Sequence, residues 1–293
     1  MNYKEIKVEN LTEKTNVYHF LKLQGYSEHY IKNLRKKIGY ILVNNINSTT
    51  RTPLNNNDIL KIETNPFPAS NIKHCDIPLD IIYEDEDYLI VNKPSNLSCI
   101  PTSAHIENNL GGAICKYMST KCDNFILRFV GRLDKDTSGI VIVAKNSIAC
   151  QKLEKIEKTY SIICIGNIYK NIIIEKPILT ITNNGKNEMK RIISENGKYA
   201  KTYVYPIKQF NNFTLCNIKI IQGRTHQIRL HLSSINHPLL GDSLYGTPHP
   251  DFTHSALVCK KISFYHYNKE TYINLEIPLP KDFEQFITNN SKE

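Results

Sequence analysis

The sequence predicts an α+β protein of two unequal units, the larger built on a mixed, largely antiparallel sheet. Three observations lead there. Helical periodicity is concentrated near the N-terminus, strand-like runs dominate after residue 79, and the stretch NPFPASNIKHCDIP (65–78) interrupts both with three prolines. Closely spaced strands favour hairpins and antiparallel neighbours over the strict strand–helix alternation of a doubly wound sheet.

The first unit is assigned to residues 1–64. Val17, Phe20 and Leu21 recur at helical spacing, and Gly25 is placed to stop that helix. Ser27 is the expected N-cap of a second helix, with Tyr30, Ile31 and Leu34 facing inward and Gly39 as its stop. Lys32, Arg35, Lys36 and Lys37 make much of its remaining surface cationic. Two strand-like runs follow, YILVNN and NNNDILKIE. This order, with its basic second helix, resembles the αL-type RNA-binding domain named for ribosomal small-subunit protein four. Asn44-Asn45 and Asn57-Asp58 stand where that domain has Asn-Gly and Gly-Asp, and asparagine tolerates left-handed backbone better than most residues. The resemblance implies that Lys32, Arg35, Lys36 and Lys37 contact RNA.

Residues 65–78 read as a linker, and 79–293 as the second unit. Its strand candidates are LDIIYED, YLIVNK, GIVIVAK, TYSIICIG, KTYVYPI, TLCNIKII and YINLEI. Its helical candidates are Asn109–Met118, Ser147–Glu157 and Thr225–Ser234.

A formal net charge of +9 favours an anionic partner, nucleic acid first. Eight cysteines are scattered, without Cys-x-x-Cys pairs or zinc-finger spacing, so no metal is expected and a reducing compartment is. The opening MNYKEIKVEN is charged and lacks an apolar signal core, and no apolar run reaches transmembrane length. The expectation is a cytoplasmic, monomeric protein without membrane contact.

GRLDKDTSGI (131–140) gathers charges at the mouth of the apolar run IVIVA. Asp136, Thr137, Ser138 and Gly139 have turn chemistry, which accounts for Asp136. Asp134 has no such local account, and a carboxylate beside a buried strand needs a partner or a task. A metal site lacks further carboxylates nearby. Paired-carboxylate sugar hydrolysis is open only if the turn leaves both acids on one face. A phosphate loop lacks its glycines and its Gly-Lys-Ser/Thr ending.

RLDKDTSGIVIVAKN resembles the signature of the RluA-type pseudouridine synthases. In the same order follow or precede it NKP (92–94), KTY (158–160), GRTHQIRLHL (223–232) and HPLLGDSLYG (237–246), each similar to a segment of that family. Departures are Gly131 where histidine is common, NKPSN for Asn-Lys-Pro-Ala-Gly, and HSALVC near the end. The resemblance implies isomerisation of uridine within RNA, most naturally large-subunit ribosomal RNA, with no cofactor. A tRNA-modifying enzyme and a non-catalytic ribosome-assembly protein are the alternatives.

By the same resemblance Asp134 is the essential carboxylate, acting as nucleophile or as base. Arg229 is its expected ionic partner, presented by a helix whose buried stripe is Ile228, Leu232 and Ile235. Tyr160 is expected to stack on the target base. Arg132 is expected to fill the space left by a flipped base or to grip a phosphate, and Lys93 to contact phosphate or to snorkel at a strand end. His226 is expected to be structural or to contact RNA, not to pair with His231 on a metal.

Overall fold

A computed structural model describes residues 3–66, 70–101, 107–122, 125–153, 155–182 and 189–291. Residues 67–69 of the expected linker and residue 154 of the second helical candidate of the larger unit lie outside these.

The N-terminal unit holds β1 (Tyr3–Lys7), β2 (Thr15–Asn16), α1 (Val17–Leu23), α2 (Glu28–Leu34), β3 (Ile41–Val43), β4 (Ile46–Asn47), β5 (Pro53–Leu54) and β6 (Ile59–Glu63). Asn16 accepts from the His19 amide at 3.0 Å, and Ser27 from the Tyr30 amide at 3.2 Å, so each helix start has its side-chain cap. Gly25 (φ +83°) and Gly39 (φ +90°) turn the chain in left-handed geometry after the two helices. Phe20, Leu21, Tyr30, Ile31 and Leu34 are buried against Ile41, Leu60 and Ile62 of the sheet β1-β6-β3-β4. Asn44, Asn45 and Asn57 all have positive φ, and Asn44 ties the two turns together by donating to Asp58 at 2.8 Å and accepting from the Ile59 amide at 2.9 Å. Lys32, Arg35, Lys36 and Lys37 are all exposed, but α2 stops at Leu34, so Lys36 and Lys37 project from the turn that follows rather than from the helix.

The described residues of 65–78 form no helix or strand. The larger unit then runs through β7 (Asp80–Glu84), β8 (Tyr88–Lys93), α3 (Leu110–Ser119), β9 (Ser138–Ala144), α4 (Ser147–Lys152), β10 (Ile156–Ile165), β11 (Ile172–Glu175), β12 (Ile178–Thr182), β13 (Met189–Ile193), β14 (Lys201–Phe210), β15 (Phe213–Ile220), α5 (Gln227–Ser233), β16 (Leu257–His266), β17 (Thr271–Glu276) and α6 (Lys281–Asn290). Its main sheet has the order β11-β14-β15-β10-β16-β9-β8-β7, with β17 also paired to β16. Every pairing is antiparallel except β16 with β9, which is parallel over Val258↔Ser138 and Cys259↔Gly139. The α+β expectation, with its mixed sheet, is borne out.

All seven residues of β9 are buried, because the strand has neighbours on both edges and core on both faces. Sequence periodicity over-extends α4: the expected helix reached Glu157, but the chain leaves the helix after Lys152 and enters β10 at Ile156, where pairing with β16 gains a long ladder. α6 was not anticipated; Phe283 and Phe286 fasten it to Phe252. No described helix is long and apolar enough to cross a membrane.

α4 also joins the two units. Ile148 is buried in the N-terminal core, and Ser147 donates to the Thr64 carbonyl through Oγ at 2.7 Å. Lys152 donates to the Gln24 carbonyl at 2.9 Å, and Gln151 accepts from the Ser27 amide at 2.8 Å.

Gly139 sits at φ +111°, where a Cβ would overlap the backbone of Cys259 across the parallel pairing. Gly139→Ala therefore strains the backbone and pushes β9 from β16. The expected loss is at least about 2 kcal/mol, read as a lower urea midpoint with unchanged slope.

Candidate active site

At the Ser138 end of β9 a cleft of about 500 Å³ is lined by Asp134, Tyr160, Arg132, His226 and Arg229, among others. The size suits a small ligand or a single nucleoside. Five residues assigned to the site from separate motifs thus meet in one place.

Asp134 lies in a tight turn closed by the Thr137 amide donating to the Asp134 carbonyl at 3.2 Å. Its side chain is 30% exposed, facing the cleft rather than the core. The turn is fixed from behind. The Cys99 thiol donates to the Leu133 carbonyl at 3.3 Å, and Lys93 donates to the Lys135 carbonyl at 3.1 Å.

Lys93 is a correction to the sequence reading. It neither meets phosphate nor snorkels: its exposure is 0%, and its ammonium also donates to the carbonyls of Pro94 at 2.8 Å and Leu97 at 2.7 Å. Three carbonyl acceptors match the three protons of an ammonium. Burial pulls its pKa down to about 8, against the opposing pull of Cys99, Asp136 and Asp134.

Arg229 is a second correction. Its partner is Asp242, not Asp134. Nε and Nη2 each donate at 2.7 Å to one oxygen of the Asp242 carboxylate, which is fully buried. The nearest other acid is Asp136, 3.7 Å from Nη1, and no Arg229–Asp134 ion pair closes within 4.0 Å. Asp242 accepts in addition from the amides of Leu244 at 2.9 Å and Tyr245 at 3.0 Å. Burial opposes both charges, yet the bidentate contact outweighs it, raising the pKa of Arg229 and lowering that of Asp242. Asp242 and Tyr245 were missed as site residues, although both stand in HPLLGDSLYG; the available signal was that segment itself, from which no residue was assigned to the site.

Tyr160 is 7% exposed and stands at an irregularity in the β10–β16 register, between Thr159 and Tyr160. Such a bulge re-aims a side chain. Burial holds its phenol well above the usual range, so the hydroxyl stays protonated at physiological pH. Arg132 is exposed at the rim, next to Gly131 at φ +76°.

His226 lies just outside the helix that carries Arg229. It precedes α5 in left-handed backbone, φ +56°, which swings its ring toward the catalytic turn. Nδ1 lies 3.0 Å from the Tyr245 hydroxyl and Nε2 4.0 Å from Asp134. Burial lowers its pKa, with Arg229 and Arg191 adding to the effect and Asp134 opposing it. His231 is buried and spent on structure: Nδ1 is 2.9 Å from the Thr202 hydroxyl and Nε2 2.9 Å from the Lys176 carbonyl. Among the described residues no group of three or more His, Cys, Asp or Glu is arranged to hold a metal.

With that geometry in place, comparison with known proteins is informative. A family model described as RNA pseudouridylate synthase matches residues 87–234. The chain is 34% identical over 225 residues to an uncharacterized RNA pseudouridine synthase, YlyB, of Bacillus subtilis, covering 73% of each. It is 30% identical to an uncharacterized RNA pseudouridine synthase of Aquifex aeolicus over 96% of this chain and 94% of that one. It is 31% identical to ribosomal large subunit pseudouridine synthase D of Escherichia coli (strain K12), over 72% of this chain and 70% of the relative. In fold it is similar to human RNA pseudouridylate synthase domain containing 4, with a TM-score of 0.58 at 21% identity, covering 72% of this chain and 93% of that one.

The buried position of Lys93 generates a prediction. Lys93→Met fills the volume but leaves three carbonyls without a donor, one of them in the catalytic turn. Turnover should fall at least about tenfold with RNA affinity unchanged, whereas a phosphate-binding lysine would lose affinity. In the unaltered protein, turnover should decline as pH rises through about 8, because a neutral amine keeps two protons for three carbonyls. Lys93→Met should lack that decline in a pH–rate profile.

Proposed function

The chain belongs to the RNA pseudouridylate synthase family and is an RNA pseudouridine synthase; from that premise we propose that its substrate is a uridine in large-subunit ribosomal RNA and that Asp134, Tyr160 and Arg229 carry the chemistry. The observation that carries the assignment of residues is their convergence, with Arg132, on one cleft at the end of a wholly buried strand.

The reaction is a rearrangement within one nucleotide. The C1′–N1 bond breaks, the uracil turns, a C1′–C5 bond forms, and the C5 proton departs as N1 gains one. No electrons are lost or gained overall. Asp134 acts in bond breaking, as nucleophile or as base toward a sugar proton. Tyr160, neutral and nearly all buried where it lines the cleft, is assigned to stack on the flipped uracil and to lend its hydroxyl to proton transfer during rejoining. Arg229, held by Asp242, lends a fixed positive charge to the floor of the cleft rather than a direct pair to Asp134. Unstacking the uridine costs a few kcal/mol, and Arg132 at the rim is placed to occupy the vacated space or to hold a phosphate.

Two observations favour ribosomal RNA. One is the similarity to ribosomal large subunit pseudouridine synthase D of Escherichia coli (strain K12). The other is the N-terminal unit, which we assign to RNA binding through Lys32, Arg35, Lys36 and Lys37. Lys36 and Lys37 border a second cleft of about 1400 Å³, together with Lys4, Lys121, Lys145, Glu86 and Asp87. Asp87 immediately precedes β8 and Lys145 follows β9, while Lys93 and Ser138 lie at the catalytic ends of the same strands. At about 3.3 Å per residue the two clefts stand on the order of 20 Å apart. An RNA that fills both clefts is held at two points, which favours a substrate with structure beyond the target uridine.

Mapping pseudouridine in ribosomal RNA with and without Asp134→Asn tests the reading. At least one large-subunit site should vanish while RNA binding persists; loss confined to tRNA sites would overturn the substrate assignment. A double charge reversal, Lys36→Glu with Lys37→Glu, should raise KM about tenfold on a whole ribosomal RNA domain and flatten its salt dependence. On a short stem-loop carrying only the target uridine, KM should be unchanged.

A further inference from the structure

His226 combines features that neither an RNA contact nor a packing residue explains. A residue other than glycine in left-handed backbone costs on the order of 1 kcal/mol, and such outliers recur where function over-determines geometry. The strain places the ring between two polar groups, the Tyr245 hydroxyl and the Asp134 carboxylate. We propose that His226 is a positioning residue for Asp134: Tyr245 fixes its tautomer, and the Nε2–H so defined holds the carboxylate in its reactive orientation. The proposal rests on Asp134 being the reacting acid.

The tautomer follows from the neighbours. If Nε2 carried its lone pair, that lone pair would face an anion across 4.0 Å. With the proton on Nε2, Nδ1 is the acceptor, and the Tyr245 hydroxyl donates to it at 3.0 Å. The charged form is disfavoured by burial and by two guanidiniums, Arg229 from α5 and Arg191 from β13. Asp134 from the catalytic turn and Asp242 from the loop after α5 pull the other way, and Tyr245 from that loop supplies the hydrogen bond. A neutral imidazole with one defined N–H results. The 4.0 Å separation closes to a hydrogen bond with a shift of about 1 Å, of the kind that accompanies substrate binding.

The same loop therefore serves the cleft twice. The buried Asp242 grips Arg229, and its acceptance of the Tyr245 amide sets the aromatic ring whose face lies 5.5 Å from the Arg229 guanidinium and whose hydroxyl reaches His226.

The experiment uses the full-length protein with saturating RNA and measures single-turnover pseudouridine formation and the RNA Kd. His226→Phe removes the donor. The rate should fall about 10- to 100-fold with Kd within twofold, as for other residues that orient a reacting group. His226→Gln, whose amide supplies an N–H without a tautomer, should restore most of the rate. Tyr245→Phe should slow the unaltered enzyme several-fold but have no further effect in the His226→Gln background. A His226→Gln variant as slow as His226→Phe overturns the proposal. A weakened Kd with an unchanged rate overturns it in favour of direct RNA contact. Asp134→Asn is the separate control: activity surviving there means the underlying assignment failed, whereas an inactive Asp134→Asn beside a normal His226→Phe sinks only the present inference.

Discussion

The ion pair between Arg229 and Asp242 is the constraint on which the Asp134 cleft is built. Both side chains are removed from water, so each charge is tolerated only because the other is there, with both N–H···O contacts formed and Oδ1 of Asp242 accepting in addition from two backbone amides. The pair links α5 to the loop that follows it, thirteen residues on, and leaves the third guanidinium nitrogen turned toward Asp136. A helix of only seven residues is thereby held at one orientation against the sheet.

The opposing wall is held by different means. Asp134 belongs to a turn with little packing of its own, yet the turn opens directly into β9, which is paired along both edges. Lys93 and Cys99 reach its carbonyls from underneath. The site thus has one wall fixed by a buried ion pair and the other by a strand and a buried ammonium, which is the rigidity a positioned carboxylate requires.

Much of this could be read in the residues. Ser27, Gly25 and Gly39 mark helix ends through local backbone chemistry, and the asparagines at 44, 45 and 57 mark turns, so these were legible without knowledge of the fold. Asp134, Arg132, Tyr160, His226 and Arg229 were legible through motifs, and they converge. What was not legible depends on non-local geometry. Arg229 was paired with the wrong acid because the choice among Asp134, Asp136 and Asp242 is decided by how a loop folds back. Lys93 looked like a strand-end cation because its three acceptors come from loops on either side of α3. The true end of α4 was hidden because Ile156 suits both a helix face and a strand, and the ladder with β16 decided between them. His226 departs from the helical register because its backbone is left-handed, which no periodicity reveals.

The role of α4 extends beyond connecting two units. Its Ile148 completes the N-terminal core, and hydrogen bonds from Ser147, Gln151 and Lys152 fix the angle at which that unit sits. A tethered domain samples a volume; a docked one keeps a distance. With the turn that carries Lys36 and Lys37 and the cleft that carries Asp134 held apart in this way, the molecule keeps two fixed points at a set separation, as a caliper does.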